Sequence, residues 1–240
     1  GSYIDDGYND ANDRSQSFLD GAAGLTVRGG YTGEGDARGP AATILDRDTA
    51  ALPSPQRRLV RVAGSSVVFD SLVFTNGTLA SGSGLGVNLA SSEAVFLNCR
   101  FERNRNSLTG SFNGGAIYAS GGVLAVTNCV FAGNVLSCAA DNCDTYGGAI
   151  YASGARVSIA DSEFRSNRVY VHFKTTIGGA LYFSGATQAE VVRCLFSTNT
   201  AGHLNGYSQQ RFVAGGAAIG AVAGANVAGS LQVADCQFIG

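Results

Sequence analysis

The stretch that decides the fold is Gly114-Gly115-Ala116-Ile117-Tyr118-Ala119-Ser120-Gly121, because it returns along the chain almost unchanged. It recurs as Gly147-Gly148-Ala149-Ile150-Tyr151-Ala152-Ser153-Gly154 and as Gly178-Gly179-Ala180-Leu181-Tyr182-Phe183-Ser184-Gly185, with a looser copy at Gly215-Gly216-Ala217-Ala218. Repeats of this length are typical of solenoids, in which each unit covers the apolar face of the next. The block therefore predicts one repetitive domain.

A second block lies between these copies and consists of a phenylalanine followed three residues later by an asparagine. The phenylalanines are Phe101, Phe131, Phe164, Phe196 and Phe238, and the asparagines are Asn104, Asn134, Asn167 and Asn199. Each unit holds short β-compatible runs separated by glycine or asparagine, and none shows the apolar period of a helix. We therefore predict an all-β right-handed parallel β-helix with three short strands per coil.

Stacked coils would place equivalent residues in columns about 4.8 Å apart. We expect the phenylalanines to stack inside and the asparagine amides to bridge backbone groups of the turn and the neighbouring coil. The glycine pairs are expected where a Cβ does not fit or where φ is positive. Cysteines stand two residues before four of the phenylalanines, at Cys99, Cys129, Cys194 and Cys236. They predict a buried column of small side chains, with disulfide bridges between coils as the alternative.

The solenoid is expected to run through the whole chain as one domain. Residues 1–60 are interpreted as an N-terminal cap with irregular first coils, and residues 61–240 as the repeats. The last repeat stops early, so we expect the natural protein to continue beyond Gly240. The segments 135–146, 168–177 and 200–214 are predicted to be loops that project on one side, and they carry the following aromatic residues: Tyr146, Tyr170 and Tyr207.

Composition limits the classes of partner. The 240 residues hold 16 basic and 18 acidic side chains, and charged residues make up 14% of the chain. This balance gives no excess of positive charge with which to hold a nucleic acid. No segment has the roughly 20 consecutive apolar residues of a membrane-spanning helix, so we expect no direct membrane insertion.

Two further motifs suggest covalent chemistry. Cys138 and Cys143 flank turn residues, which predicts a local disulfide and hence an oxidising compartment. A metal site with His172 as a third ligand is the alternative. The triplet Asn76-Gly77-Thr78 is a glycosylation sequon, so Asn76 is a candidate glycosylation site.

The fold alone does not decide whether the chain is an enzyme, because β-helices also include polysaccharide lyases and hydrolases. The decision depends on particular residues. Those reactions need clustered carboxylates, and the candidate groups are Asp46, Asp48 and Asp70 in one region and Asp141, Asp144 and Asp161 in another. None lies in a lyase or glycosidase motif, so we interpret them as solvated turn residues and His203 as a loop residue. We predict no catalytic residue, no metal and no cofactor.

The tandem Gly-Gly-Ala-Ile/Leu and Phe-x-x-Asn motifs resemble the repeats of chlamydial polymorphic membrane proteins and related β-helix surface proteins. The resemblance covers residues 114–240. It implies a secreted or cell-surface domain, adhesive or structural, with no catalytic role for either motif. We therefore expect an extracellular domain that presents its loops to a protein or glycan ligand. A polysaccharide-acting enzyme of the same fold is the second hypothesis, and a building block of a larger fibre or assembly is the third.

Overall fold

The chain is built from short parallel strands. The computed structural model describes residues 18–21, 23–30, 43–46, 58–79, 82–106, 110–140, 143–171, 176–185, 187–203, 214–215, 218–222 and 229–240. Within these residues it has no helix, and every pair of strands is parallel. The strands are β1 (Phe18–Asp20), β2 (Leu25–Arg28), β3 (Thr43–Asp46), β4 (Val60–Ala63), β5 (Ser66–Asp70), β6 (Leu72–Thr75), β7 (Val87–Leu97), β8 (Arg100–Glu102), β9 (Phe112–Asn113), β10 (Ile117–Thr127), β11 (Val130–Ala132), β12 (Val135–Cys138), β13 (Thr145–Tyr146), β14 (Ile150–Ser153), β15 (Arg156–Ala160), β16 (Glu163–Arg165), β17 (Arg168–Val171), β18 (Thr176–Ile177), β19 (Leu181–Ser184), β20 (Gln188–Val192), β21 (Leu195–Ser197), β22 (Thr200–His203), β23 (Ala214–Gly215), β24 (Ile219–Val222), β25 (Ser230–Ala234) and β26 (Gln237–Ile239).

These strands form four parallel sheets across the described ranges. Sheet I has 12 strands and includes β7, β10, β14, β15, β19 and β20. Sheet II has seven strands in the order β26-β21-β16-β11-β8-β6-β3. Sheet III is β12-β17-β22, and sheet IV is β23-β18-β13-β9. The chain passes from sheet IV through sheets I, II and III and then returns to sheet IV, so sheet neighbours come from successive repeats.

Alternating side chains explain why these segments are strands. In β15 the residues Val157 and Ile159 are buried, while Arg156 and Ser158 are exposed. This period of two puts one apolar face inward, and the β-branched residues suit the pleated backbone. The buried apolar residues of sheets I and II form one continuous core.

The number of strands in each repeat differs from the prediction. The repeat that begins at Thr145 contains β13, β14, β15, β16 and β17, which is five strands where three are predicted. The additional strands come from segments predicted to be loops, because parts of 135–146, 168–177 and 200–214 pair in sheets III and IV. Their sequences differ between repeats, but backbone pairing requires only matching length and a buried face.

Sheets III and IV have a core of their own. Leu85, Phe112, Leu136 and Val169 form a buried cluster, against which Leu79 packs. A further small cluster joins Cys138, Cys143 and Val171. Each segment after the asparagine therefore adds a layer to a second, smaller packed unit beside the main core.

The phenylalanine column holds the main core in register. Phe131 is paired with Phe101 on one side and Phe164 on the other. The ring centroids of both pairs are 4.7 Å apart and the rings are nearly parallel. The predicted stacking of equivalent residues is confirmed for these repeats. Phe238 also stacks on Phe196, at 5.0 Å, but it is 56% exposed rather than buried, because no strand pairs with the outer side of β26 in the described residues.

Two corners of each repeat carry a residue with left-handed backbone. The first precedes the cysteine position and the second precedes the asparagine position. The first set is Ser71, Asn98, Asn128, Asp161, Arg193 and Asp235, and the second is Asn76, Arg103, Gly133, Ser166 and Thr198. Non-glycine residues adopt this conformation at a cost, so the recurrence marks obligatory bends between sheets I, II and III.

The glycine pairs turn the chain between sheets IV and I for two different reasons. Gly147 has φ +65°, which favours glycine, whereas a Cβ on Gly148 would lie 2.1 Å from the carbonyl oxygen of Gly179. Both predicted reasons are therefore present. The fourth glycine block is offset by one residue from the predicted position. Gly215 pairs with Ile177 rather than with Gly178, the first glycine of the preceding block. An offset of one residue changes which glycine takes the turn position.

Candidate functional site: a cluster of four tyrosines

Four tyrosine rings meet on the outer surface where sheets I and IV join. In the repeated Ile-Tyr-Ala-Ser segment, the isoleucine and alanine point into the core and the tyrosine and serine point outward. Tyr118, Tyr151 and Tyr182 are therefore direct partners in neighbouring strands of sheet I. Tyr146 joins them from sheet IV, because it directly precedes the turn at Gly147. We call these four residues the tyrosine cluster.

The rings of the cluster contact one another. The centroids of Tyr118 and Tyr151 are 5.2 Å apart and those of Tyr146 and Tyr182 are 4.7 Å apart, both in stacked orientation. Tyr151 and Tyr182 are 5.4 Å apart with tilted planes. The two stacked contacts thus cover one face of each ring.

Burial differs among the four side chains. Tyr118, Tyr146 and Tyr151 are half-buried, while Tyr182 is only 7% exposed. Burial, together with the nearby carboxylate of Asp144, raises the pKa of Tyr146 to about 12. Burial is the main cause that raises the pKa of Tyr182, and the neighbouring Tyr151 raises it further. The phenols of Tyr146 and Tyr182 are thus neutral donors and acceptors near neutral pH.

The serines of the same segment add hydroxyl groups beside the rings. Ser120, Ser153 and Ser184 are register partners in adjacent strands. The hydroxyl of Tyr151 lies 2.9 Å from the hydroxyl of Ser184, and either oxygen is able to donate. The outer face of β10, β14 and β19 therefore combines aromatic edges with hydroxyl groups.

The predicted asparagine column is a structural element of the core. Asn104, Asn134 and Asn167 are fully buried, and the side-chain amide of each donates to the amide oxygen of the next asparagine. Each also donates to a backbone carbonyl of the preceding repeat, as Asn134 does to Phe101. Asn199 ends the run and donates to Phe164. The side chains thus bridge successive repeats, and these hydrogen bonds use up their polar groups.

The cysteine column has a role that sequence reasoning missed. Cys99, Cys129, Cys194 and Cys236 are free thiols. The backbone amide of Cys99 donates to the sulfur of Cys129, and the amide of Cys129 donates to the hydroxyl of Ser162. The small side chain at this position therefore accepts a hydrogen bond from the preceding repeat. The signal in the sequence was Ser162, which shares acceptor ability with cysteine rather than apolarity.

The thiols of the cysteine column differ in pKa, and the hydrogen bond with Cys129 lowers the pKa of Cys99. Burial raises the pKa of Cys194 to about 11. Hydrogen bonding to Cys99, followed by burial, raises the pKa of Cys129. Since the thiolate is the reactive form, Cys129 and Cys194 are held in the unreactive state.

Cys138 and Cys143 form the predicted disulfide, with a Cα–Cα distance of 6.4 Å. Both are buried, at 0% and 2% exposure. His172, the third ligand of the alternative metal site, lies outside the described residues. Among the residues that are described, no group of three or more histidine, cysteine or acidic side chains is placed to hold a metal ion.

The remaining predicted positions do not form one site. Asp70, predicted to be a solvated turn residue, is instead buried and accepts hydrogen bonds from Ser71 and Asn98. The side-chain amide of Asn76 donates to Asp46 at 2.7 Å, and its glycosylation stays a prediction. Asp46 and Asp70 lie in different sheets, opposite Thr75 and Leu97, so they do not align in one column. Asp161 pairs with Arg193, which lowers the pKa of the carboxyl group.

Other predicted positions give less information. Tyr170 is half-buried in β17, opposite Ser137 and Gly202. Asp48, Asp141 and Tyr207 lie outside the described residues, and only the backbone of His203 is described.

Comparison with known proteins does not add a relative. Neither a protein-family model, nor a curated protein, nor a solved structure matches this chain. The described segments also contain no helix that is long and apolar enough to span a bilayer.

Proposed function

We propose that the chain is a right-handed parallel β-helix of the polymorphic membrane protein-like type, in which each repeat is one coil of a solenoid. The in-register pairing of Phe101, Phe131, Phe164 and Phe196 supports this architecture. The buried asparagine column supports it too, because such a column requires equivalent residues one layer apart. A crystal structure tests the proposal, since a left-handed path of the chain or a break in stacking between repeats would contradict it.

We further propose that this β-helix is a non-catalytic structural or adhesive domain of a secreted or cell-surface protein. The observation that carries the proposal is the tyrosine cluster, an aromatic surface on a rigid stack. Tyrosine is enriched at the energetic centres of protein interfaces because it combines apolar area with a hydroxyl group. The disulfide supports an extracellular setting, where such bonds persist.

The orientation of the rings favours a protein ligand over a glycan. Stacking of a sugar requires an open ring face, and the stacked contacts Tyr118–Tyr151 and Tyr146–Tyr182 each cover one face of both rings. Ring edges and hydroxyl groups remain for contacts with backbone and side chains of a partner protein. The proposed role is therefore presentation of the tyrosine cluster to another protein at the cell surface.

Binding to a panel of purified extracellular matrix proteins and glycans tests this role. We expect saturable binding to a protein, weakened at least tenfold when Tyr118, Tyr146 and Tyr151 are all replaced by serine. The matched control replaces Arg156 in β15 and Gln188 in β20 by serine. Both residues are exposed on sheet I, so this variant should bind normally.

Two results would overturn the proposal. One is binding that the triple variant retains in full, with circular dichroism showing that the variant is folded. The other is release of unsaturated or reducing sugar from polyuronides in the presence of calcium, which would show a polysaccharide-acting enzyme.

A further inference from the structure

The contact between Tyr118 and Tyr151 is suited to covalent chemistry as well as to recognition. The two residues are register partners in adjacent parallel strands, 33 positions apart in sequence. The residues on either side of each tyrosine are packed in the core and hold the backbone in place. These residues are Ile117, Ala119, Ile150 and Ala152, all at most 1% exposed. Two phenol rings are thus held in a stacked pair with a centroid distance of 5.2 Å.

We propose that Tyr118 and Tyr151 are a site of oxidative cross-linking, at which a peroxidase-type oxidant with hydrogen peroxide joins the two rings as dityrosine. The bond would connect two successive repeats covalently. This proposal concerns the chain itself and does not depend on the identity of a binding partner.

The chemistry balances with hydrogen peroxide as the acceptor of electrons. Each phenol loses one electron and one proton and becomes a phenoxyl radical. The two radicals combine through their ortho carbons, forming one carbon–carbon bond, and the hydrogen on each joined carbon is lost while each oxygen regains a proton. Hydrogen peroxide takes up two electrons and two protons and gives two molecules of water. The chain loses two hydrogen atoms in total.

Pre-organisation is the physical reason for expecting this pair to react. Coupling of two radicals is fast only when they meet, and the β-ladder supplies that proximity without further ordering. Both side chains are only half-buried, so part of each remains accessible to a small diffusing oxidant. The hydroxyl of Ser184, 2.9 Å from that of Tyr151, is able to accept the phenolic hydrogen bond and so to ease loss of the proton.

The second stacked pair of the cluster is less suited to oxidation. Tyr146 and Tyr182 are closer, at 4.7 Å, but Tyr182 is only 7% exposed. Burial raises the pKa of both phenols, which opposes the loss of the proton that accompanies oxidation. Selective coupling of Tyr118 with Tyr151 is therefore the distinguishing expectation.

Treatment of the purified chain at low concentration with horseradish peroxidase and hydrogen peroxide tests the proposal. We expect dityrosine fluorescence in the monomer and a mass lower by two hydrogens. After proteolysis, one cross-linked peptide should contain both Tyr118 and Tyr151. The variants Tyr118→Phe and Tyr151→Phe should each lose at least nine-tenths of this fluorescence, whereas Tyr170→Phe should keep it.

Several outcomes would reject the site. These are absence of dityrosine in the monomer, cross-links found only between molecules, and a major product that persists in Tyr118→Phe. The same reaction in concentrated urea serves as a second measurement, because loss of the specific peptide on unfolding shows that the folded contact directs the coupling. Equal yield of that peptide in the unfolded chain would also reject the proposal.

Discussion

Asn134 shows how a single polar side chain can connect three repeats. Its amide oxygen accepts hydrogen bonds from the side chain and the backbone of Asn104, at 2.8 and 3.2 Å. Its amide nitrogen donates to Asn167 and to the carbonyl of Phe101, at 2.9 and 3.0 Å. The side chain is fully buried, so water cannot replace a lost partner.

Replacement of Asn134 by aspartate is expected to destabilise the chain strongly. The carboxylate keeps the shape of the side chain but loses both donors, and it places a charge in a dry site opposite the oxygen of Asn167. We expect the free energy of unfolding to fall by about 3 kcal/mol or more, measured by urea denaturation. The matched control is Asn128→Asp at a corner of the surface, where a loss below about 1 kcal/mol is expected. Similar losses in the two variants would contradict the role of the column.

The raised pKa of Tyr146 predicts that the folded chain loses stability in alkaline solution. Its pKa is raised from 10.0 to about 12 by burial and by Asp144, so the folded state holds its proton more tightly than the unfolded state. Stability from this residue is therefore complete below pH 10 and declines as the pH rises from about 10 to about 12. We expect Tyr146→Phe to flatten this decline in the melting temperature, with Tyr170→Phe as the control. An unchanged profile in Tyr146→Phe would contradict the assignment.

At the scale of secondary-structure elements, the disulfide fastens sheet III to its neighbouring turn. Cys138 ends β12, and both sulfur-bearing residues pack against Val171 at the end of β17. The bond closes a short loop, for which chain entropy gives a stabilisation of about 2 kcal/mol. Its effect should be local, because the cluster of Cys138, Cys143 and Val171 is separate from the core of sheets I and II.

Removing the disulfide is therefore expected to loosen one part of the molecule. In a variant with Cys138→Ser and Cys143→Ser, amide hydrogen exchange should accelerate in β12 and β17 and stay unchanged in β11 and β16. Cys194→Ser is the control, since serine already fills the equivalent position at Ser162. Uniform acceleration over all sheets would show that the two cores do not act separately.

The elements also show where sequence reasoning succeeds. Phe131 and Phe164 are predictable partners, because a repeated motif implies a repeated environment and the aromatic side chain must be buried. The glycine pair was also predictable from its steric properties. Strands β12 and β13 were not, because sheets III and IV form from segments without a shared motif, and their pairing depends on backbone groups that every sequence possesses.

The tyrosine cluster is only partly predictable from the sequence. Tyr118, Tyr151 and Tyr182 are visible in the sequence as equivalent residues of one block. Their contact with Tyr146 requires sheet IV to meet sheet I at the glycine turn, and no local sequence pattern predicts that junction. The corner residues have no sequence signal for a different reason, since their backbone conformation is constant while their identity varies among serine, asparagine, aspartate, arginine, threonine and glycine.

At the scale of the whole molecule, β25 and β26 present an apolar edge. Leu231, Val233, Phe238 and Ile239 are between 37% and 56% exposed. Open strand edges with apolar side chains favour association with other chains.

We expect the 240-residue chain to self-associate as its concentration rises. Replacing Phe238 by glutamate and Ile239 by lysine should keep it monomeric, as measured by size-exclusion chromatography with light scattering. Gln237→Glu adds charge at the same edge without removing apolar surface and should behave more like the wild type. Association that is equally strong in the double variant would place the contact elsewhere on the molecule.

The asparagine column gives the molecule a direction. Every side-chain amide from Asn104 to Asn167 donates toward the C-terminal neighbour, so the amide dipoles point the same way and polarise one another. Breaking the alignment in the middle weakens the bonds on both sides, whereas a break at either end weakens only one. Identical substitutions along this row should therefore differ in cost, with the greatest penalty at the centre.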